Sequence, residues 1–306
     1  MDVSVIIINY NTCELTKACI DSVFEKTKRI SFEVILVDNA STDGSKRYFQ
    51  NDDRITYIYN TENLGFGRAN NVGIDIAKGR NILFLNSDTL LINDAISVLS
   101  EYLDENKDVG ACGGNLYDKN MNPTHSYKRI LPSIFWEFSI LFCSFPERLL
   151  FGKNAEFNHS CKALDVGYIT GADLMVPKHV LNDCGVFSPD FFMYYEETDL
   201  CSRIKKAKYK IRSVPSAQII HLEGASSKQD GTSSNKNKIR QLEESRIIYY
   251  FRNCLRGYIR IVNIIYCLFL FSRLLLKRRE QFIEEYRYRI CMFRKILLKV
   301  KTSRNF

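Results

Sequence analysis

Two adjacent glutamates form the first group of side chains with an obvious chemical use. Glu196 and Glu197 stand immediately before Asp199–Lys208, a segment whose pattern predicts a helix. A carboxylate in such a position can act as a general base and take a proton from an attacking hydroxyl group. Two structural alternatives stay open. Glu197 could only supply negative charge near a helix N-terminus, and Asp199 and Arg203 could form an i,i+4 ion pair.

A second group has the residue types that bind a hard divalent cation. Asp88 follows Asn86 and Ser87 at the end of a predicted strand, and His221 ends another. A carboxylate oxygen and an imidazole nitrogen suit Mg²⁺ or Mn²⁺, which would neutralise charge on a departing phosphate group. The alternatives are a helix cap at Asp88 and a structural role for His221.

A glycine-rich stretch, Asn63–Asn70, precedes a predicted helix. Glycine lets backbone N–H groups approach an anion, and a helix N-terminus adds a favourable dipole. Asn63, Gly65, Arg68 and Asn70 are therefore candidate contacts of a phosphate-bearing ligand. Arg68 could instead help to frame a base.

The elements that must position these side chains alternate strand and helix. Val3–Ile8 is a β-branched run that predicts a strand buried on both faces, and Thr12 can cap the helix after it. The order β-α-β-α-β-α-β favours an α/β fold, a mostly parallel sheet flanked by helices. The predicted strands are Val3–Ile8, Glu33–Val37, Ile55–Tyr59 and Asn81–Leu85, and the helices are Glu14–Lys28, Lys46–Gln50 and one ending near Lys78.

Polar residues collect just after each of these strands. In open α/β sheets, ligands bind in the crevice beyond the carboxyl ends of the strands. Topology alone therefore predicts that one site gathers Asn9, Tyr10, Asp38, Asn63 and Asp88. The Tyr10 ring could stack on a base there or could serve simple packing.

The C-terminal half has a less regular pattern. Ile211–Val214 and Gln218–Ile220 predict two short strands, and Ser226–Asn237 predicts a flexible loop or lid before a helix over Gln241–Phe251. Ten cysteines occur without a CxxC pair, and no signal peptide is visible at the N-terminus. We therefore expect reduced thiols and a cytoplasmic location.

Charge is distributed unevenly along the 306 residues, of which 45% are apolar, enough to bury a full core. Residues 1–245 carry 28 basic and 32 acidic side chains, whereas 246–306 carry 15 basic and 3 acidic ones. Ile261–Ser272 is an uncharged apolar run, shorter than the roughly 20 residues that span a bilayer. We interpret 256–279 as a basic amphipathic helix at a membrane surface. The alternative is a helix packed on the rest of the protein or on another subunit.

Six motifs in a fixed order carry a family resemblance. They are Val3–Asn11, Val37–Ser45, Asn63–Gly73, Leu85–Thr89, Thr170–Ala172, and Phe192–Leu200 with Arg203. Together they resemble a bacterial family-2 glycosyltransferase of GT-A fold, close to the rhamnosyltransferase-like branch. The resemblance implies a GT-A domain over residues 1–255 and leaves 256–306 as a basic helical appendage.

The resemblance also implies a role for each matching residue. Asp38 would accept the imide N–H of uracil or thymine. Asn86-Ser87-Asp88 takes the place of the family's DxD motif, from which Asn86 departs. Glu197 stands where the family has its catalytic base, usually an aspartate, with Glu196 as the runner-up.

The remaining implied contacts fall into three sets. The metal ligands would be Asp88 and His221. The nucleotide-sugar contacts would be Asn9, Tyr10, Asp38, Asn63, Gly65, Arg68, Asn70 and Ser87. The donor and acceptor pocket would include Gly171, Ala172, Asp199 and Arg203.

The implied activity is inverting transfer of a sugar from a dTDP- or UDP-sugar, with dTDP-rhamnose among the candidates. The acceptor would be a saccharide or lipid-linked saccharide of a growing surface polysaccharide such as O-antigen or capsule, and Mg²⁺ or Mn²⁺ the cofactor. The basic tail adds a peripheral position on the inner face of the cytoplasmic membrane. The alternatives are an inactive scaffold or a nucleic-acid-binding protein acting through its tail. No nucleic-acid motif accompanies the charge, so we expect no such partner.

Overall fold

The computed structural model describes most of the chain, in two compact units. The described residues are 1–222, 231–254, 256–276 and 287–295. The first unit comprises Met1–Arg129, Lys153–Phe192 and Glu196–Gln229, and the second comprises Ile130–Gly152, Met193–Tyr195 and Asp230–Phe306. The domain boundary expected at residue 255 stays a prediction.

The N-terminal part of the first unit has the predicted alternation of strands and helices. Four strands run parallel, in the spatial order third, second, first, fourth. The predicted ends of these elements are correct to within two residues. The strands are β1 (Val3–Asn9), β2 (Phe32–Asp38), β3 (Thr56–Tyr59) and β4 (Asn81–Asn86), and the helices are α1 (Cys13–Lys26), α2 (Ser45–Phe49) and α3 (Phe66–Ile76).

Among the described residues, five further strands make this a mixed sheet of nine strands, and seven strands follow β4 along the chain in all. They are β5 (Thr89–Leu91), β6 (Val109–Tyr117), β7 (Tyr127–Lys128), β8 (Leu164–Asp165), β9 (Tyr168–Ile169), β10 (Asp173–Pro177) and β11 (Lys210–His221). Strand β10 lies antiparallel to β4, and β6, β11 and β5 follow outward, while β7 and β9 form a separate pair. The expected fold, a mostly parallel sheet flanked by helices, is confirmed.

The later helices belong to both units. They are α4 (Ala95–Glu105), α5 (Ile134–Leu141), α6 (Phe145–Phe151), α7 (Lys178–Cys184), α8 (Glu196–Lys206), α9 (Gly231–Asn253) and α10 (Arg256–Leu276). A 3-10 turn covers Gly152–Asn154, and residues 287–295 are also helical. No helix in the described part of the chain is long and apolar enough to cross a membrane.

Two predicted boundaries are wrong. The two short strands expected before His221 are one strand, β11, whose pairing with β6 is shifted between Ser213 and Gln218. Pro215 lies in that interval and has no N–H to donate, so the ladder is interrupted but the strand continues. Residues 231–237, expected in a loop, begin α9, because extending an established helix costs less than starting one. The rest of that expected loop lies outside the described residues.

Helices cover both faces of the central strands, which explains their uninterrupted apolar sequence. Val5 and Ile7 of β1 are fully buried in a cluster with Ile20 and Val23 of α1. Ile6 points to the opposite face, where a Cβ on Gly73 of α3 would lie 2.6 Å from its Cγ2 atom. Each such buried aliphatic side chain contributes about 1.5–3 kcal/mol.

The second unit is built around buried charge. The Arg246 Nη2 atom lies 2.8 Å from Glu137 Oε1, which also accepts a 2.8 Å hydrogen bond from the Tyr250 hydroxyl group. The Arg246 guanidinium carbon lies 3.6 Å from the ring centroid of Tyr266, whose hydroxyl group donates to Glu243. Glu137 and Arg246 are 1% and 4% exposed, so neither charge can be solvated if its partner is removed.

Glu137→Gln is therefore expected to destabilise the second unit by about 3–5 kcal/mol, because the buried Arg246 charge would lose the carboxylate oxygen that lies 2.8 Å from it. Trp136 is the only tryptophan and lies in this unit, so its fluorescence during urea unfolding reports the change. The double variant Glu137→Met/Arg246→Met should be more stable than Glu137→Gln. Glu25→Gln, which breaks an exposed pair with Lys26, is the control. An unchanged midpoint in Glu137→Gln would contradict this role.

Candidate active site

Strand register brings the predicted polar residues to one edge of the sheet. Asn9 is paired with Asp38 across β1 and β2, and Ile8 is paired with Asn86 across β1 and β4. The strands are parallel, so the residues that follow them emerge at the same edge. All of the predicted site residues lie in the first unit.

Asn9 is fully buried at this edge, and its amide group is used internally. Its Nδ2 atom donates to Ser41 Oγ at 3.0 Å, and its Oδ1 atom accepts from the hydroxyl groups of Thr12 and Thr16, each at 2.9 Å. The prediction that Thr12 caps α1 is wrong, because the Thr12 side chain makes no capping hydrogen bond. Asp43 accepts from the Cys13 N–H instead. Asn9 therefore holds the loop after β1 and the loop after β2 in place.

Asp38 is also fully buried, whereas Tyr10 is 44% exposed. Asp38 Oδ1 accepts from the Ser41 N–H at 2.8 Å, and Oδ2 accepts from the Tyr57 hydroxyl group at 2.7 Å. Burial and this hydrogen bond raise the pKa of Tyr57, so its hydroxyl group stays a donor. A carboxylate has about four lone-pair sites, so Asp38 retains capacity for a further donor.

Asn39 is the residue that the sequence reasoning missed. Its side chain donates to Asn63 Oδ1 at 2.9 Å and to the Gly65 carbonyl at 3.2 Å, and it accepts from the Leu64 N–H at 3.1 Å. It is 2% exposed and ties the loop after β2 to the glycine-rich loop. Its place directly after Asp38, inside a polar turn, was the available signal.

Gly65 of the glycine-rich loop is packed against the Phe192 backbone too closely for a larger residue. Gly65 has a φ of +80°, and a Cβ there would lie 2.2 Å from the Phe192 carbonyl oxygen, which accepts from the Phe66 N–H. The N–H groups of Leu64, Gly65 and Phe66 all bond within the protein, so they form no open anion cradle. Arg68 is exposed, and its Nε atom bonds the Leu64 carbonyl.

Asn70, predicted to contact ligand, is 1% exposed, and its side chain bonds the Phe66 carbonyl within α3. This contact is local to the helix. Ser87 is 8% exposed and lies 3.2 Å from the Thr12 hydroxyl group. Of the predicted nucleotide contacts, Tyr10 and Arg68 are therefore the exposed ones.

Asp88 and His221 are brought together by β5 and β11. His221 Nε2 lies 3.2 Å from Asp88 Oδ1 and 3.3 Å from Asn86 Nδ2, and β11 pairs His221 with Thr89. Ligand atoms about 2.1 Å from one octahedral ion lie about 3 Å apart, so the pair fits two neighbouring positions of one cation. No cluster of three or more His, Cys, Asp or Glu side chains suited to a metal occurs among the described residues.

The segment Gly171–Ala172 joins this pair to the glycine-rich loop. The Ala172 carbonyl accepts from the Asn86 N–H at 3.0 Å. A Cβ on Gly171 would lie 3.3 Å from the ring of Phe66. This predicted pocket segment therefore lies between the strand end that carries Asp88 and the start of α3.

Glu196 and Glu197 begin α8, beside the start of α3. A Cβ on Gly67 would lie 3.5 Å from Glu196 Cβ, and Glu196 is 4% exposed. Glu197 is half-buried, and its Oε1 atom accepts from the Thr198 hydroxyl group at 3.1 Å. Burial raises the pKa of the Glu197 carboxyl above its usual value. A more accessible carboxyl with a raised pKa is the better proton acceptor of the two.

Asp199 and Arg203 form the ion pair that the sequence left open as an alternative. Arg203 Nε lies 3.0 Å from Asp199 Oδ2, and its Nη atoms donate to the carbonyl groups of Gly185 and Val186. These bonds fasten α8 to the end of α7. The contacts match a structural role, and a place in the donor or acceptor pocket stays a prediction.

Asp173, which opens β10, was not predicted as a site residue. It is fully buried, and its Oδ2 atom accepts from the Gly114 N–H. Burial raises the pKa of its carboxyl to about 7, against smaller lowering effects of that hydrogen bond and of His221. Sequence gave no signal beyond its place after Gly171–Ala172, because the shift depends on tertiary burial.

A cavity of about 670 Å³ opens beside the loop after β1. Its lining includes Asn11, Asp43, Arg47 and Tyr48 but not the Asp88–His221 pair or either glutamate. Asn11 and Asp43 accept hydrogen bonds from backbone N–H groups within the protein. The predicted cation and base residues therefore lie outside the lining of this cavity.

Comparisons with known proteins agree with this fold and with the motif order. The structure of the mannosyltransferase PcManGT from Pyrobaculum calidifontis, in complex with GDP-Man and Mn²⁺, superposes with a TM-score of 0.57 at 14% identity. That match covers 99% of this chain and 88% of the other. The fold is that of the GT-A glycosyltransferases.

Sequence matches narrow the class to a family. Residues 4–169 match the family described as Glycosyl transferase family 2, and the chain belongs to that family. The glycosyltransferase GlyG of Streptococcus pneumoniae is 30% identical over 41% of this chain and 42% of its own length. The low-salt glycan biosynthesis hexosyltransferase Agl10 of Haloferax volcanii is 25% identical over 72% of this chain and 67% of its own. The chain thus matches less than half of the length of GlyG.

Asp173 generates a testable pH dependence of stability. Its pKa rises from 3.8 to about 7 on folding, so between these values the folded state holds a proton that the unfolded state has lost. Its contribution to stability therefore falls as pH rises from about 4 to about 7. Between about pH 5 and about pH 8, the free energy of unfolding of Asp173→Asn should therefore rise by about 3 kcal/mol relative to that of the parent.

Urea unfolding followed by far-UV circular dichroism at the two pH values measures this gain. Asp75→Asn, on the exposed side of α3, is the matched control and should show no such difference. Equal effects of Asp173→Asn at both pH values would show that Asp173 is ionised in the folded protein.

Proposed function

We propose that this chain is an inverting glycosyltransferase that moves a sugar from a dTDP- or UDP-sugar to a saccharide acceptor. The observation that carries the proposal is one continuous set of contacts. The Asp88–His221 pair adjoins Asn86, whose N–H bonds Ala172, and Gly171 faces Phe66 at the start of α3. The next residue of α3, Gly67, packs on Glu196 at the start of α8.

Glu197 is the proposed base. Its carboxylate takes the proton from the acceptor hydroxyl group as that oxygen attacks the anomeric carbon and the nucleoside diphosphate departs. Only the ionised form can act, and burial raises the pKa of Glu197 towards the range in which a base is most effective. Glu196 is more enclosed and serves the packing of α8 on α3.

Asp88 and His221 are the proposed ligands of Mg²⁺ or Mn²⁺. The bound ion would act as a Lewis acid that stabilises the charge on the departing diphosphate. Two protein ligands suit a cation whose other positions are filled by phosphate oxygens and water. Asn86 replaces the first acid of a DxD motif, and its Nδ2 atom would give up its 3.3 Å contact with His221 Nε2 when a cation binds that nitrogen, because the nitrogen has one lone pair.

Tyr10, Asp38 and Arg68 are the proposed nucleotide contacts. The exposed Tyr10 ring offers a face for stacking on a base, and the spare lone pairs of Asp38 suit the imide N–H that uracil and thymine share. Exposed Arg68 suits phosphate. The buried amides of Asn9, Asn39 and Asn70 and the half-buried amide of Asn63 shape the loops that carry these contacts.

The acceptor is proposed to be a lipid-linked saccharide of a growing surface polysaccharide. One candidate donor is dTDP-rhamnose. The family resemblance supports the polysaccharide and the donor class. The basic segment 256–279, helical over its described part α10, supports a peripheral position on the inner face of the cytoplasmic membrane.

A panel of dTDP- and UDP-sugars with Mg²⁺ or Mn²⁺ tests the activity, with nucleotide release as the readout. We expect turnover of one donor and a loss of about 10²–10⁴-fold in Glu197→Gln, which cannot accept the proton. Glu197→Asp keeps a carboxylate and should retain measurable turnover. Turnover that survives Glu197→Gln but not Glu196→Gln would identify Glu196 as the base. The absence of both donor turnover and a donor-induced thermal shift would refute the proposal that the protein is an enzyme.

Titration of Mn²⁺ in the presence of UDP or dTDP tests the cation site. Asp88→Asn should weaken cation-dependent nucleotide binding by about tenfold or more, because a charged oxygen ligand is lost. Asp53→Asn, an exposed carboxylate elsewhere in the first unit, should leave binding unchanged. Equal binding by all three proteins would exclude Asp88 as a ligand.

A further inference from the structure

The α5–α6 hairpin of the second unit has its polar and apolar faces reversed relative to an ordinary surface helix. Its buried side chains include Glu137, Ser139 and Glu147. Trp136 is buried with them, and Cys143 and Arg148 are exposed. The other exposed side chains are large and apolar, between 38% and 75% exposed, and the ring centroids of two of them lie 4.7 Å apart. Surface helices normally bury the apolar face. The exposed set, named here the hairpin surface, is Phe135, Phe138, Phe142, Phe145, Leu149 and Leu150.

Helix α10, which contacts α5 in the same unit, has a second apolar stripe on its exposed side. Val262, Tyr266 and Leu270 are its buried side chains, so the core of the unit does not need the stripe. The stripe residues are 49–83% exposed and recur at alternating spacings of three and four. They are Ile261, Ile264, Leu268, Phe271 and Leu275.

The amount of apolar surface is unusual for a soluble monomer. These side chains are each about half exposed and together present roughly 1,000 Å², if an aromatic side chain covers about 150–250 Å². The hairpin surface alone accounts for roughly 600 Å² of this area, which is the upper end of the range of about 300–600 Å² for the largest contiguous apolar patch on a typical monomer, a patch that is often functional. A partner of matching chemistry is therefore expected.

The charge of the second unit selects among partners. Residues 130–152, 193–195 and 230–306 hold 19 basic and 8 acidic side chains, a net charge of +11. A second copy of the chain would bring two such charges together. Nucleic acid can stack bases on the phenylalanine rings but offers no apolar interior for the exposed Leu149 and Leu150 side chains. An anionic bilayer offers both an apolar interior and negative headgroups.

We propose that the hairpin surface inserts its phenylalanine and leucine side chains into the interface of an anionic lipid bilayer. Aromatic side chains favour this depth, and the basic side chains of the unit add attraction to the headgroups. This extends the peripheral membrane contact of the proposed function from the tail to a hairpin well before it in sequence. Lipid binding needs no sugar transfer, so the two can fail separately.

Cosedimentation of the full chain with vesicles tests the proposal. The vesicles are phosphatidylcholine alone or phosphatidylcholine with phosphatidylglycerol, and the test variant is Phe142→Gln/Phe145→Gln/Leu149→Gln. The control variant, Ile76→Gln/Met121→Gln/Val186→Gln, removes three exposed apolar side chains of the first unit. Far-UV circular dichroism verifies that each variant is folded, and donor hydrolysis without lipid is measured separately.

We expect the parent and the control to bind anionic vesicles, and the hairpin variant to bind about tenfold or more weakly. Nucleotide release in the absence of lipid should be the same in all three. Anionic-vesicle binding that survives the hairpin substitutions would overturn the proposal, as would equal binding to neutral and anionic vesicles. A dimer seen by light scattering and converted to monomer by the hairpin variant would assign the surface to a second copy instead.

Discussion

Parallel pairing of β1 with β2 and β4 is the constraint on which the candidate site depends. It sets Asn9 beside Asp38 and Ile8 beside Asn86, so three polar segments leave the sheet at one edge. A slip of one residue would turn each strand-end side chain to the other face. Such a slip is costly because both faces of β1 are buried, Ile7 on one side and Ile6 on the other.

Side chains whose amide groups bond within the protein complete the site. Asn9 and Asn39 are buried at the strand ends, and their amide groups form hydrogen bonds with neighbouring loops. Buried polar groups of this kind must be satisfied, and once satisfied they hold loop backbone in one conformation. Tyr10 and Arg68 can then meet solvent and ligand on loops whose shape is already fixed, which lowers the ordering cost of binding.

The second unit combines a buried ion pair and an apolar cluster in its interior with an unusually apolar exterior. Its interior holds the Glu137–Arg246 pair, and its outside holds the hairpin surface. A buried pair of this kind gives little net stability, because desolvation offsets much of the attraction. It does specify one arrangement, since only the paired geometry satisfies both charges. That arrangement also decides which side of α5 is exposed.

The sequence by itself determined the alternation of the first four strands with three helices, the ends of these elements to within two residues, and the edge of the sheet at which the polar residues after the strands emerge. These depend on local pattern and on the rule that parallel strands end at one edge. Tertiary structure alone decided which polar side chains form their hydrogen bonds within the protein. Examples are Asn9, Asn39 and Arg203, whose guanidinium group donates to backbone carbonyl groups. Tertiary structure also decided the reversed faces of the α5–α6 hairpin, because burial depends on residues distant in sequence, which local periodicity does not report.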